Sequence, residues 1–538
     1  MVAVDVNPFE IEVLTRFEQK ARADVYLPAG LKHPVPVVLG ASPYQKALRS
    51  LPAASTFPFI EYGPIQLYLD RGYAYVAMDV PGTGRSEGTW DPVSRSEGEA
   101  IHDMIEHVAA QPWCTGAVGM IGMSYYSWSQ WNAARTRPPH LKTIVAYDGA
   151  TDMYRDWMYH GGIPTQGFLS AWLLGSVLYQ HSLSGIDYRT GDKHDYLYDA
   201  LSHPLDDAWQ RRRSPFWELP EVDIPVFSIG VWGKGALHLR GNFYGYERVT
   251  GPKKLLVAHP DTFAGAHEYF FDEDFHRNEL LPWYDHHLKG IDNGVMGRPD
   301  VRFFVNGEGV YRDASSWPPA DASPSTFFLS AEPSGAVSSL NDGSLTEDRP
   351  DVDAASTSWT YPDPKWAAGV TVFDEQGRPD HVARVVTFTT APIQHAREFT
   401  GHGVLTLYAS TDQTDLDLII KVSLLTGDGP AIRVTQGWLR ASHRDEHPEL
   451  TADMRPFHAH ESAKPLQPNE IHELRVELLP MSFLAQPGDR IRLEVSNNDS
   501  LLADAPMTHF YGRKVGTDTY HHDRLHPSSL RLHERPRQ

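Results

Sequence analysis

Up to residue 290 the chain alternates short apolar runs with helical patterns, and this alternation limits the folds it can adopt. The runs PVPVVLG (34–40) and YAYVAMDVPG (73–82) predict buried strands, each ending in turn residues. Between such strands, segments such as 97–111 repeat apolar residues at helical spacing. Strands that alternate with helices favour a mostly parallel sheet with helices on both faces.

One segment interrupts this alternation. Residues 151–221 are rich in Trp, Tyr, His and Leu, with helical spacing over 168–183. The strand pattern then resumes at IPVFSIGVWG (224–233) and KKLLVAHP (253–260). A helical insertion between two strands commonly covers an α/β active site. We therefore predict a helical cap at 151–221, inserted into a discontinuous catalytic domain formed by 1–150 and 222–320.

The pattern changes again near Asp321. Short β-rich segments follow one another, separated by Gly, Pro, Asp and Asn. This spacing is typical of an antiparallel sandwich, which we predict for residues 321–538.

Composition excludes several classes of protein. The 538 residues carry 48 Lys and Arg against 69 Asp and Glu, a net charge of −21, which repels nucleic acid and anionic lipid. No apolar run reaches the ~18 residues of a membrane-spanning helix. Cys114 is the only cysteine, so neither an intrachain disulfide nor a cysteine-rich zinc site can form. We expect a soluble cytoplasmic protein without nucleic-acid or membrane partners.

The strongest local signal for chemistry is Gly122-Met123-Ser124-Tyr125-Tyr126, between a predicted strand and a predicted helix. Small residues there allow a sharp strand-to-helix turn that lifts a serine hydroxyl above the sheet. The N–H of Tyr125 would then face the site as an oxyanion donor. Tyr126 replaces the last glycine of the G-x-S-x-G pattern, which leaves open that Ser124 only caps a helix.

Four segments together carry a wider resemblance: VGMIGMSYYSWSQWNAA (118–134), PYQK (43–46), MDVPGTGRSEG (78–88) and QGWLRASHR (436–444). They resemble the X-Pro dipeptidyl-peptidase-like acyl hydrolases, the family of bacterial cocaine esterase and α-amino-acid ester hydrolases. The resemblance is collinear from near Glu12 to the C-terminus. It implies an α/β-hydrolase domain, an inserted helical cap and a C-terminal jelly roll.

The resemblance also implies roles for individual residues. Ser124 would be the nucleophile, and the Tyr44 hydroxyl would join the Tyr125 N–H in the oxyanion hole. The family acid lies in a W-x-D-G pattern, but this chain reads Trp232-Gly233-Lys234-Gly235, with lysine at the acid position. The downstream segment GALHLRGN (235–242) resembles a branch of the family that also lacks this aspartate.

The catalytic base and acid stay open at this point. The family base follows a strand as G-P-W-x-H, and no histidine occupies the ungapped position. A short insertion would bring His267 there, so we favour His267 as the base, with His259 as the alternative. Asp261 is the nearest acidic candidate and Glu268 the alternative, although neither stands at a family position.

We therefore predict a serine esterase or amidase that works through an acyl-enzyme on a small molecule with an apolar group. It would need no cofactor and no metal ion. Cleavage after an X-Pro dipeptide is less favoured, because a shared fold does not determine substrate specificity. Because Lys234 stands at the acid position, a repurposed enzyme such as an acyltransferase, cyclase or lyase is the alternative. Ser124 and Tyr44 argue against a binding protein with a degenerate site. Association into a homo-oligomer is left open.

Overall fold

A computed structural model describes residues 6–44, 46, 61–178, 196–336, 339–380, 383–427, 429–509 and 515–536. Gln45 of the PYQK motif and residues 179–195 of the predicted cap lie outside these ranges. The chain divides into two compact units. The first is drawn from Met1–Asp156, Ser170–Ser202 and Ala208–Phe303. The second is drawn from Trp157–Leu169, His203–Asp207 and Phe304–Gln538.

Strands account for most of the regular structure in both units. In chain order they are β1 (Phe9–Leu14), β2 (Lys20–Tyr26), β3 (Val35–Ser42), β4 (Ala74–Asp79), β5 (Cys114–Met120), β6 (Leu141–Tyr147), β7 (Tyr159–His160), β8 (Ile163–Pro164), β9 (Val226–Val231), β10 (Lys253–Ala258), β11 (Val301–Val305), β12 (Val310–Ala314), β13 (Ser323–Ser330), β14 (Ser339–Thr346), β15 (Ser356–Tyr361), β16 (Ala383–Thr390), β17 (Arg397–Thr411), β18 (Asp417–Leu425), β19 (Ile432–Arg440), β20 (His472–Ala485), β21 (Arg490–Ser496), β22 (Gly516–His521) and β23 (Ser529–Arg535).

The sheet of the first unit is mostly parallel. Its strands follow the order β1-β2-β4-β3-β5-β6-β9-β10-β11. Only the pairs β1–β2 and β2–β4 are antiparallel in this order. The apolar runs predicted as buried strands are β3 and β4, which are buried almost throughout. The prediction of a mostly parallel sheet is confirmed.

Helices connect these strands. The α-helices are Ile65–Asp70, Arg95–Ala109, Tyr125–Ala134, Gln166–Trp172, Tyr196–Ser202, Ala208–Arg211, Arg240–Arg248, Phe263–Phe271, Glu273–Phe275 and Leu281–Lys289. The 3₁₀ turns are Pro215–Glu221, Trp232–Lys234, Val295–Gly297 and Ala441–His443, and the π turns are Tyr154–Met158, Leu173–Leu178, Gly235–Leu239 and His276–Leu280. None of the helices in the described part of the chain is both long and apolar enough to cross a membrane.

The helix predicted over 97–111 shows why the local sequence adopts this form. It spans Arg95–Ala109, and the Ser94 hydroxyl accepts a hydrogen bond from the Glu97 N–H at its start. Such a cap satisfies an N–H group that has no partner inside the helix. The apolar residues at helical spacing face the sheet and are buried, among them Ile101 and Met104.

The second unit is dominated by one β-sheet. Its order is β15-β22-β17-β23-β13-β14-β16-β21-β18-β19, and β20 pairs with β17. Pairing is antiparallel except between β14 and β16. The chain therefore combines a mostly parallel α/β unit with a C-terminal all-β unit, as the α/β-hydrolase prediction requires. The jelly-roll topology and the domain limits 1–150 with 222–320, 151–221 and 321–538 stay predictions.

The order of the first sheet indicates where a site belongs. Strand β3 lies between β4 and β5, so the chain leaves β3 for one neighbour and returns on its other side. Ligands of open α/β sheets bind outside the carboxyl ends of the strands at such a switch point. Tyr44 follows β3 and Ser124 follows β5, so both stand at this edge.

Candidate active site

Ser124 lies in a tight turn between β5 and the helix Tyr125–Ala134. Its φ of 60° is in the left-handed region, which is costly for a residue with a side chain and recurs at functional sites. Gly122 allows the turn: its φ is +131°, and an added Cβ would lie 2.3 Å from the Tyr126 Cβ. The predicted strand–turn–helix arrangement around the serine is present.

The Ser124 hydroxyl lies beside a buried histidine. His238 Nε2 is 3.4 Å from Ser124 Oγ, and His238 Nδ1 is 3.2 Å from Asp148 Oδ2. The His238 and Asp148 side chains are fully buried. The first distance is at the long end of hydrogen-bond range, and the second is an ion-pair distance; long contacts of this kind are common before a substrate binds. The order hydroxyl, imidazole, carboxylate is that of a serine-hydrolase triad.

His238 reaches the serine from the segment that follows β9. A 3₁₀ turn, Trp232–Lys234, leads into the π turn Gly235–Leu239, and the helix Arg240–Arg248 follows. Short π turns are found frequently at functional sites. The imidazole packs edge-on against the Trp128 ring, with 5.5 Å between ring centroids. Burial lowers the pKa of His238, the Asp148 carboxylate opposes this, and the Lys234 ammonium adds to it.

Asp148 comes directly after β6, the neighbour of β5. Its N–H donates to the Ile229 carbonyl at 2.7 Å, and its own carbonyl accepts from the Ser124 N–H at 3.1 Å. The turn that carries Asp148 is therefore tied to the serine turn. Burial alone would raise the pKa of the Asp148 carboxyl, but the basic groups around it, among them His238 and Lys234, lower it overall.

Lys234 stands at the position where the family pattern has aspartate. Its Nζ is 3.3 Å from Asp148 Oδ2 and 3.9 Å from the centroid of the Phe263 ring. The side chain is 1% exposed, so the ammonium is almost entirely removed from solvent. Asp148 thus has two basic neighbours, Lys234 and His238.

Tyr44 provides a hydrogen-bond donor near the serine. Its side chain is buried, and its hydroxyl is within hydrogen-bond reach of the Ser124 side chain. Burial holds the pKa of this phenol well above its ordinary value, so it stays protonated and able to donate. The Trp172 Nε1–H donates to the Tyr44 oxygen at 2.9 Å. That bond occupies an acceptor position of the phenol and leaves its proton for another partner.

The backbone N–H of Tyr125 is the second predicted oxyanion donor. As the first residue of its helix, Tyr125 has no carbonyl four residues back inside the helix to receive this N–H. Its side chain is anchored elsewhere: the hydroxyl donates to Glu97 Oε2 at 2.7 Å and accepts from the Val93 N–H at 3.1 Å. These two bonds fix the residue whose N–H would face an oxyanion.

The structure does not bring His267 to Ser124. His267 lies in the helix Phe263–Phe271, where Nδ1 is 3.0 Å from the Phe263 carbonyl and Nε2 is 3.2 Å from Glu61 Oε1. Both ring nitrogens are therefore engaged with other groups. His238 takes the contact that was expected of His267. The reason is that the segment after β10 continues as a helix and does not form the loop that the prediction required.

The other sequence candidates lie away from this contact. His259 is exposed, with its ring edge-on to Tyr269 at 4.7 Å between centroids. Asp261 and Glu268 are exposed, and the carboxylate beside the His238 imidazole is Asp148. Within the described ranges, no group of three or more His, Cys, Asp or Glu side chains is arranged to hold a metal ion.

Asp148 and His238 lie at this site but were not predicted from the sequence. A signal for Asp148 was present, since it follows the strand LKTIVAY (141–147) at the carboxyl edge where Ser124 is expected. His238 lies in GALHLRGN, the segment that resembles a family branch without the usual aspartate.

Fold and site together define a class: a serine hydrolase with the α/β-hydrolase fold. Residues 20–262 match the X-Pro dipeptidyl-peptidase (S15 family) model, and residues 293–531 match the model of the X-Pro dipeptidyl-peptidase C-terminal non-catalytic domain. The chain belongs to the X-Pro dipeptidyl-peptidase-like family.

Individual relatives agree with this family. Cocaine esterase of Rhodococcus sp. is 26% identical, over 88% of this chain and 88% of its own length. The crystal structure of a CocE/NonD family hydrolase from Staphylococcus aureus is similar with a TM-score of 0.81 at 25% identity, covering 98% of this chain and 93% of that one. An α-amino-acid ester hydrolase shares the fold with a TM-score of 0.73 at 18% identity, covering 99% and 98%. The protein is a serine hydrolase that acts on ester or amide bonds.

Proposed function

We propose that Ser124, His238 and Asp148 are the nucleophile, general base and acid of this hydrolase. The observation that carries the proposal is the continuous chain from Ser124 Oγ through the two nitrogens of His238 to Asp148 Oδ2, at 3.4 Å and 3.2 Å. Their order along the sequence, Ser, Asp, His, is the order of α/β-hydrolase triads. A repurposed acyltransferase, cyclase or lyase is not favoured.

The reaction follows from these positions. His238 Nε2 accepts the proton of the Ser124 hydroxyl while Oγ forms a bond to the carbonyl carbon. The imidazolium then gives this proton to the leaving alcohol or amine as the bond to the carbonyl carbon breaks. Water adds to the acyl-enzyme with His238 again as the base, and it releases the acid and the free serine. Asp148 stabilises the imidazolium in both halves.

The oxyanion hole in this proposal is formed by the Tyr44 hydroxyl and the Tyr125 N–H. Two contacts of the Tyr44 hydroxyl support this role: it is within hydrogen-bond reach of Ser124, and it accepts a hydrogen bond from Trp172. A buried donor that is oriented in advance stabilises the negative charge that develops on the carbonyl oxygen.

For the substrate we propose an ester with an apolar acyl or leaving group. Aromatic rings around the serine support it: Trp172 stacks on Tyr125 with an angle of 14° between the rings, and Tyr44 packs edge-on against Tyr125. We expect p-nitrophenyl benzoate to give a higher kcat/KM than p-nitrophenyl acetate after correction for intrinsic reactivity. Preferential cleavage of an Ala-Pro p-nitroanilide would instead support the X-Pro peptidase. A cytoplasmic location stays a prediction, and association into a homo-oligomer stays open.

The triad is tested by labelling and burst kinetics. A fluorophosphonate should label the wild type once per chain, at Ser124, and the Ser124→Ala variant should not be labelled. His238→Ala should lose turnover of a p-nitrophenyl ester by several orders of magnitude, as Ser124→Ala does, because the two residues act as a unit.

His267→Ala is the matched control, since it removes a second buried histidine of the same unit. We expect it to keep more than about a tenth of wild-type kcat, since loss of a working base costs several orders of magnitude. Collapse of activity in His267→Ala with near-normal activity in His238→Ala would refute the proposed base. Near-normal activity in both variants would refute triad chemistry altogether.

A further inference from the structure

Lys234 is a buried cation that has no role in the proposed reaction. Its side chain is 1% exposed, and its contacts include Asp148 Oδ2 at 3.3 Å and the face of the Phe263 ring. Among the residues that the structure describes, none accepts a hydrogen bond from its Nζ. Burial of an ammonium group is costly unless a charge of opposite sign compensates it. Asp148 is the carboxylate close enough to do so.

Asp148 depends on this lysine in turn. Its carboxylate is fully buried, and no described group donates a hydrogen bond of good geometry to either of its oxygens. Oδ2 faces His238 and Lys234. His238 must be neutral to act as a base, so in the resting enzyme it cannot offset the negative charge. Lys234 is the adjacent cation that can offset the charge before a proton has moved.

We propose that Lys234 is a positioning residue, which keeps Asp148 ionised and directed at His238 Nδ1. The inference rests on the proposed triad and extends it. In this chain a lysine at the family acid position would support an aspartate supplied by the neighbouring strand. Lysine in place of the family aspartate at position 234 is then compatible with a complete triad.

The charge of Lys234 has a consequence for the pH dependence of the reaction. The charged groups that act on Asp148 are His238, Lys234 and His267, and those that act on His238 are Asp148, Lys234 and Glu61. Lys234 repels a proton on the Asp148–His238 pair, whichever of the two holds it. Removal of the ammonium therefore strengthens proton binding by the pair. His267 and Glu61, which contact each other at 3.2 Å, are unchanged by a substitution at 234.

The test measures kcat/KM for a p-nitrophenyl ester as a function of pH in the wild type, Lys234→Met and Lys234→Arg. It compares the acid limb of each profile, which is the range over which kcat/KM rises with pH. Loss of the charge in Lys234→Met should move the limb to higher pH by about one unit, whereas Lys234→Arg keeps the charge and should move it much less. The pH dependence of the fluorophosphonate labelling rate should shift in parallel. Lys254→Met is the matched control, because Lys254, on β10, is also buried, and its Nζ lies 3.4 Å from Oδ1 of Asp300, the residue that precedes β11. It should leave the limb unchanged.

A stability measurement covers the case in which Lys234→Met folds poorly. The expected cause is the Asp148 carboxylate, which stays buried without a compensating cation. Lys234→Met/Asp148→Asn should therefore unfold at a higher denaturant concentration than Lys234→Met alone. An unshifted limb in a folded Lys234→Met, or a double variant no more stable than the single, would overturn the inference. Normal Ser124 labelling in the wild type would then leave the triad standing, whereas absent labelling would refute the triad itself.

Discussion

The hydrogen bond from Trp172 to Tyr44 makes the oxyanion hole testable beyond a single substitution. Tyr44→Phe keeps the ring and removes the hydroxyl, so the loss in kcat reports the oxyanion donor. The loss of one such donor costs about 10²–10³ in kcat, or about 2.7–4 kcal/mol. We expect KM to change little, since the donor acts mainly on charge that develops in the transition state.

Trp172→Phe is the second perturbation. It keeps an aromatic ring beside Tyr125 and removes the Nε1–H that lies 2.9 Å from the Tyr44 oxygen. A neutral hydrogen bond contributes about 1 kcal/mol, so loss of this orientation should lower kcat about 5-fold. The mechanism is indirect: without Trp172 the phenol can turn its proton away from the oxyanion.

The double variant separates positioning from packing. In the Tyr44→Phe background no hydroxyl remains to be oriented, so Trp172→Phe should cost almost nothing further in kcat. The assay is burst-phase kinetics on a p-nitrophenyl ester for the four proteins of the cycle, with thermal unfolding measured in parallel. Equal losses from Trp172→Phe in both backgrounds would mean that Trp172 acts through packing, and the reasoning would be refuted.

Two further predictions follow from the site. Burial lowers the pKa of His238, and only neutral imidazole accepts the serine proton. A pH–rate profile should therefore show kcat/KM rising through an ionisation below the ordinary histidine pKa of about 6.5. A rise in kcat/KM centred clearly above that pH would contradict this prediction. Gly122→Ala should lower the unfolding free energy by about 3 kcal/mol, because its Cβ would meet Tyr126 at a positive φ. Gly297→Ala, where an added Cβ meets nothing within 4 Å, should be near neutral in the same denaturant titration.

The elements near the nucleophile could be predicted because their signals are local. The strand and helix on either side of Ser124 are encoded by adjacent residues, and a glycine at 122 marks the sharp turn between them. Tyr44 required the family resemblance as well, but it too follows directly on a strand whose apolar run is unmistakable. Each of these residues is positioned by its own neighbours in sequence.

The base and the acid could not be predicted in the same way. His238 reaches the serine through a π turn in the connection after β9, and so short a turn leaves little trace in residue periodicity. His267 was favoured from spacing alone, and spacing does not show that its ring nitrogens are taken by Phe263 and Glu61. Contacts between residues far apart in the chain decide both positions.

The position of the acid follows from the geometry of a parallel sheet. Strands β6 and β9 are hydrogen-bonded neighbours, and their carboxyl ends lie about 4.8 Å apart at the same edge. A carboxylate after either strand can therefore reach the Nδ1 atom of one imidazole. In this chain the site after β9 carries Lys234, and the site after β6 carries Asp148, 3.3 Å away. Two carboxylates at these sites would repel each other in a buried space, whereas lysine and aspartate compensate each other. A lysine after β9 is thus compatible with catalysis when the acid comes from β6, as proposed for Asp148, and the family motif alone cannot show whether the triad is complete.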